Sequence, residues 1–167
     1  MKIASFVIML LFATKIYATE PEIEKVKSLF QASAKSKDAA DQLLKLLSRV
    51  NESSAPLLIS YKGAAEMMQA KYAFNPINKV KRFNNGKRLI EDAVKKAPEH
   101  MEIRFLRFAV QTNLPAFLNY NDAIQKDKKY LLSNLKTTKD KTLKQNIVKY
   151  LSTSKYCSAE EKKGLEL

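Results

Sequence analysis

The chain has 167 residues, 46% of them apolar and 28% charged, with three Gly, one Cys, no Trp and one His. Its 30 Lys and Arg against 17 Asp and Glu leave a formal charge of +13. Such values belong to a globular domain and exclude a disordered tail, a collagenous repeat and a disulfide-stapled miniprotein. A single His and a single Cys leave no room for a His/Cys metal set or a Cys–His catalytic pair of the usual kind with backup ligands.

Residues 1–18 read as a targeting segment: Lys2 supplies a positive start, Ile3 to Phe12 is an apolar run broken only by Ala4 and Ser5, and Ile16-Tyr17-Ala18 ends in a small residue. Cleavage is expected after Ala18, leaving 19–167 as one domain in the periplasm or outside the cell. The alternative is a buried N-terminal helix, because so short a run cannot span about 30 Å of hydrocarbon. No later stretch reaches about 18 apolar residues, so no transmembrane segment is expected. Loss of Lys2 and Lys15 with this segment leaves a net +11. Cys157 is then a lone thiol that forms no internal disulfide and is either inert or able to cross-link two chains.

The apolar spacing that follows is helical almost throughout. Glu22–Ser36 places Ile23, Val26, Leu29, Phe30 and Ala34 on one side, and Asp38–Val50 does the same with Leu43, Leu46, Leu47 and Val50. Ala55–Phe74 carries a stripe of Leu57, Leu58, Tyr61, Ala65, Met68 and Tyr72, and Asn75-Pro76 interrupts it. Asn78–Ala97 directs Val80, Phe83, Gly86, Ile90, Ala93, Val94 and Ala97 inward and Lys79, Arg82, Lys87 and Lys95 outward. Glycine inside a helix costs about 1 kcal/mol relative to alanine, so Gly86 on the buried face predicts a neighbouring helix at close range.

After Pro98 the segment carrying Met101, Ile103, Phe105, Leu106, Phe108, Ala109 and Val110 is apolar on nearly every side and should be central. Leu114-Pro115 stops it, Asn121 or Asp122 caps Ala123–Leu135, Thr138–Ser152 follows, and Ser158–Leu167 is a short helix or a frayed tail. No strand alternation survives. The fold class is therefore all-α: six to seven helices in antiparallel hairpins, as a bundle or a short α-solenoid.

Gly86, Ile90, Ala93 and Pro98, with Arg104 beyond, resemble the second helix of a tetratricopeptide repeat running into the next repeat. The preceding helix lacks that family's Trp-Leu-Gly-Tyr pattern, which leaves a generic hairpin equally open. The block from Asn75-Pro76 through Phe83, Gly86-Lys87, Pro98, Glu102–Phe108, Gln111, Asn113-Leu114-Pro115, Phe117-Leu118, Tyr120 and Asp127-Lys128 is similar to a family of small exported helical proteins of Bacteroidetes-type bacteria. The resemblance implies export and an all-helical fold, and no catalytic role.

Arg104, Arg107 and Gln111 share a face of the central helix. A partly buried guanidinium requires carboxylate or carbonyl partners, and Glu91, Asp92, Glu102, Asp122 and Asp127 are the candidates. Either these arginines lock the helix to its neighbours, or they grip the carboxylate or phosphate of a ligand. His100 beside Glu99 and Glu102 reads as solvated first-turn residues, since a zinc-protease helix needs two His. The adjacent pairs Glu91-Asp92 and Glu160-Glu161 read as surface charge. No nucleophile elbow, Walker loop or dinucleotide fingerprint occurs, so neither an enzyme nor a cofactor is expected.

Residues 19–74 are nearly neutral at +1, whereas residues 75–167 carry +10. The basic part includes Lys126, Lys128, Lys129, Lys136, Lys139, Lys141, Lys144 and Lys149. Lysine accounts for 25 of the 30 cations, which together with export argues against nucleic acid, where arginine forks are preferred. The expected role is a non-catalytic interaction or scaffold protein whose partner is another envelope protein or an anionic envelope component. The alternative is a binder of an anionic small molecule or envelope polymer through Arg104 and Arg107. Contact residues are expected among Arg104, Arg107, Gln111, Lys128 and Lys129.

Overall fold

A computed structural model describes residues 20–165; the targeting segment read at 1–18 lies outside them. The described residues form eight α-helices and no strand: α1 (Ile23–Ser33), α2 (Lys37–Leu46), α3 (Pro56–Tyr72), α4 (Pro76–Lys96), α5 (Met101–Asn113), α6 (Ile124–Asn134), α7 (Lys141–Thr153) and α8 (Ala159–Lys163). A 3-10 turn, Ala116–Leu118, joins α5 to α6. The all-α reading holds, with the C-terminal segment supplying the eighth helix.

Local chemistry sets the helix starts. Ser36, Asp140 and Ser158 each accept a backbone N–H with their side chains, and Ser158 forms a reciprocal capping box with Glu161. Asn75-Pro76 separates α3 from α4 as expected, and because Asn75 accepts from Ile77 N at 2.8 Å, Pro76 is also the first residue of α4, which begins earlier than the apolar pattern suggests. Neither Asn121 nor Asp122 caps α6, which starts behind Ala123 without a side-chain cap. Asp122 instead accepts from Gln111.

α3 and α4 form the most extensive pairing, and its antiparallel register is read from Gly63 opposite Gly86 and Glu66 opposite Arg82. A Cβ on Gly63 would lie 2.7 Å from Gly86 O, and one on Gly86 would lie 2.6 Å from both Gly63 O and Met67 Cγ. The two helices therefore approach at a separation only paired glycines permit. Gly86 is the close-contact residue its position in the sequence implies, and Gly63 is its partner.

The odd-numbered helices touch in succession, α1 on α3, α3 on α5 and α5 on α7. One apolar core, including Val26, Leu43, Leu47, Ile59, Ala93, Ile103 and Leu106, unites α1 to α5. A second, including Phe108, Ile124, Leu131, Ile147 and Leu151, unites α5, α6 and α7 and takes in Cys157 and Leu165, which flank α8. α5 contributes to both, and no residue from Met101 to Thr112 is exposed, as expected of the central helix. The inward reading of Val80 does not hold: residues 74–81 are all exposed, and the first buried residue of α4 is Gly86.

Candidate functional site

Arg104, Arg107 and Gln111 occur at helical spacing on α5 and all face α6. Asp127, one turn into α6, is fully buried and receives the Arg107 fork: Nε donates to Oδ2 at 2.7 Å and Nη2 to Oδ1 at 2.8 Å. The remaining Arg107 amino group, Nη1, donates to Glu91 Oε2 on α4 at 2.7 Å. Glu91 Oε1 accepts from Tyr120 OH at 2.7 Å, and Lys87 Nζ sits 5.0 Å from the Tyr120 ring centre. A single guanidinium thus ties α5 to α4 and α6 with charge-assisted bonds.

Arg104 is equally buried and differently held. Its Nε lies against Asp127 Oδ1, yet that N–H has no acceptor in line. Its terminal amino groups donate to Pro98 O at 3.1 Å and Lys126 O at 3.3 Å, and its guanidinium carbon is 4.7 Å from the centre of the Tyr130 ring. Gln111 completes the seam, donating to Asp122 Oδ1 at 3.2 Å and accepting from Ala123 N at 3.2 Å, where it satisfies a backbone donor at the start of α6.

Burial alone would lower the pKa of Arg107, but its hydrogen bonds and charge pairing with Asp127 and Glu91 outweigh that and raise it. The Tyr120 phenol is pushed well above its ordinary value, first by burial and then by the hydrogen bond and charge of Glu91. Two arginines thus face two carboxylates, and the chemistry available is cohesion rather than proton transfer. No cluster of three His, Cys, Asp or Glu side chains able to hold a metal occurs among the described residues.

Of the five anticipated contact residues, the three on α5 are brought together and buried. Lys128 points elsewhere, donating to Tyr156 O at 2.9 Å and pairing with Glu161 at 2.9 Å, which ties α6 to the start of α8. Lys129 is exposed, as are Lys126, Lys136, Lys139, Lys141 and Lys149. A shallow groove of about 400 Å³ is lined by Lys141, Lys144, Gln145, Val148, Lys149 and Leu165. A second, of about 410 Å³, runs past His100, Tyr130 and Asp140. Neither is lined by Arg104 or Arg107.

Two readings of carboxylates are corrected. Glu91 is not mere surface charge, since Arg107 and Tyr120 claim both its oxygens, whereas its neighbour Asp92 pairs with Arg88 at the surface. Glu102 is not solvated with His100: it is buried, accepting from Tyr61 OH at 2.7 Å and pairing with Lys27 at 3.1 Å. The second network joins α1, α3 and α5, and Phe30 packs edge-on against Tyr61 with ring centres 5.4 Å apart. Tyr61, Tyr120 and Lys27 carry no local sequence signal for these roles, because their partners lie 29 to 75 residues away.

No family model matches the chain, and neither a curated protein nor a solved structure does.

Proposed function

We propose that this protein is an exported, non-catalytic helical interaction module that docks an anionic envelope component or the acidic face of an envelope protein on the lysine-rich exterior of α6 and α7. The observation that carries the reading is the division of cations between interior and exterior. Arg104 and Arg107 are buried against Asp127 and Glu91, whereas Lys126, Lys129, Lys136, Lys139, Lys141 and Lys149 stand in solvent. Exposed lysines of one sign create a field that attracts and orients an acidic partner without a preformed pocket.

The α1-to-α7 succession of odd helices supports a short degenerate repeat of the tetratricopeptide kind, an architecture that offers extended docking surfaces. Export rests on Lys2, the apolar run Ile3–Phe12 and Ala18, and predicts that the protein recovered from cells begins at Thr19 by N-terminal sequencing.

The test is co-sedimentation of the purified protein with an envelope fraction. Wild type is expected to pellet at low ionic strength and to be released as salt rises toward about 0.3 M, because an attraction carried by exposed lysines weakens steeply with screening. The variant Lys126→Glu/Lys129→Glu/Lys136→Glu/Lys149→Glu is expected to stay in the supernatant. Equal pelleting of the two proteins refutes docking on this face.

A further inference from the structure

The exposed stretch at the turn between α3 and α4 has a different chemistry from the lysine face. Phe74 is 100% exposed, Ile77 76% and Val80 58%, within eight consecutive residues, 74–81, none of which is covered. Isolated exposed apolar residues are ordinary, but three large ones at the end of one hairpin form a patch. Along the stretch of chain that carries it the charges are of one sign, while one carboxylate of another helix, Asp41 of α2, reaches the end of α3 through Gln69. From residue 67 to residue 90 there is no Asp or Glu, while Lys71, Lys79, Lys81, Arg82, Lys87 and Arg88 all fall in that interval. Arg82 is tied to Glu66 and Arg88 to Asp92, whereas Lys79 and Lys81 are exposed beside the apolar residues and meet no carboxylate among the described residues. Lys81 lies one turn beyond Ile77, on the same side of α4.

We infer that the α3–α4 tip inserts into the surface of an anionic phospholipid bilayer, with Phe74, Ile77 and Val80 entering the headgroup–acyl boundary and Lys79 and Lys81 meeting lipid phosphates. A projecting end suits a bilayer better than a protein. Three side chains offer on the order of 400 Å², about half of what each partner contributes to a stable protein interface. Interfacial anchoring needs no such area, since lipid adapts to a point of entry and anionic headgroups add to the attraction. The site is separate from the α6–α7 face, and its test does not depend on docking there.

The chain contains no tryptophan, so Phe74→Trp installs a single reporter at a fully exposed position where folding is undisturbed. Added to the full chain, phosphatidylcholine vesicles containing phosphatidylglycerol are expected to shift Trp emission to the blue, and brominated acyl chains to quench it. Phe117→Trp, exposed on the 3-10 turn, is expected to stay unshifted. Each lysine near an anionic surface is worth about fivefold in partitioning, so Lys79→Gln/Lys81→Gln in the Phe74→Trp background is expected to weaken the titration by roughly 25-fold. An emission unmoved by anionic vesicles overturns the inference. So does an equal response to pure phosphatidylcholine, or a blue shift that follows protein concentration without lipid, which marks self-association. If instead Phe117→Trp shifts and Phe74→Trp does not, another surface meets the bilayer and the inference is equally overturned.

Discussion

Replacing Asp127 by alanine is the most informative perturbation of the interior. The side chain is fully buried, accepts both limbs of the Arg107 fork and lies against Arg104 Nε. Its removal leaves two guanidiniums in the same seam. Arg107 then retains Glu91, and Arg104 retains two carbonyls and the face of Tyr130. Breaking a buried pair by deleting one partner costs about 3–5 kcal/mol, because the remaining charge is neither solvated nor compensated. For a chain of this length each kcal/mol lowers Tm by about 2–4 °C, so Asp127→Ala should melt about 6–20 °C below wild type by circular dichroism at 222 nm. The triple variant Arg104→Met/Arg107→Met/Asp127→Leu removes the charges together and should recover much of that loss, since apolar side chains of similar volume replace a buried ionic cluster at little cost. A Tm within about 2 °C of wild type for Asp127→Ala would refute the cohesive role of the network.

Three further outcomes follow from the packing and the titrating groups. Gly86→Ala forces a Cβ to within 2.6 Å of Gly63 O and should destabilise by about 1–3 kcal/mol in urea denaturation, whereas Gly164→Ala, whose Cβ would meet nothing closer than 3.5 Å, should be neutral. Tyr61 and Tyr120 both have pKa values raised first by burial and then by Glu102 and Glu91, so their contribution is complete below about pH 10 and lost as pH rises further. Above pH 10 the unfolding free energy should fall by about 1.4 kcal/mol per pH unit for each phenol, and Tyr61→Phe/Tyr120→Phe should abolish that part of the slope. An unchanged slope contradicts the buried-phenol assignment. Cys157 is buried, and burial followed by the charge of Glu161 raises its pKa, so a disulfide reagent should label it slowly in the native protein and rapidly in denaturant. Rapid native labelling would place the thiol at the surface.

The helices were legible because apolar residues at threes and fours need only local sequence to be seen, and because the glycine on the buried side of α4 signals a close neighbour. The arginine seam was half legible. Arg104, Arg107 and Gln111 share a face at fixed helical offsets, but Asp127 and Glu91 are selected by how α6 and α4 dock, which local spacing does not encode. Glu102 shows the same limit: its sequence neighbours His100 and Glu99 are exposed, and its partners Tyr61 and Lys27 arrive from α3 and α1. Val80 failed in the opposite direction, because periodicity identifies an apolar stripe without stating how far along the helix its cover extends.

The central claim is that interior arginines hold the fold while exterior lysines meet the partner. One binding experiment separates these roles: retention on an envelope fraction at low ionic strength, measured for wild type, for Lys126→Glu/Lys129→Glu/Lys136→Glu/Lys149→Glu and for Arg104→Met/Arg107→Met/Asp127→Leu, each shown to be folded by circular dichroism. Retention should disappear in the lysine variant and persist in the arginine variant. Persistence in the lysine variant together with loss in the arginine variant would contradict the claim and make the buried seam the ligand site.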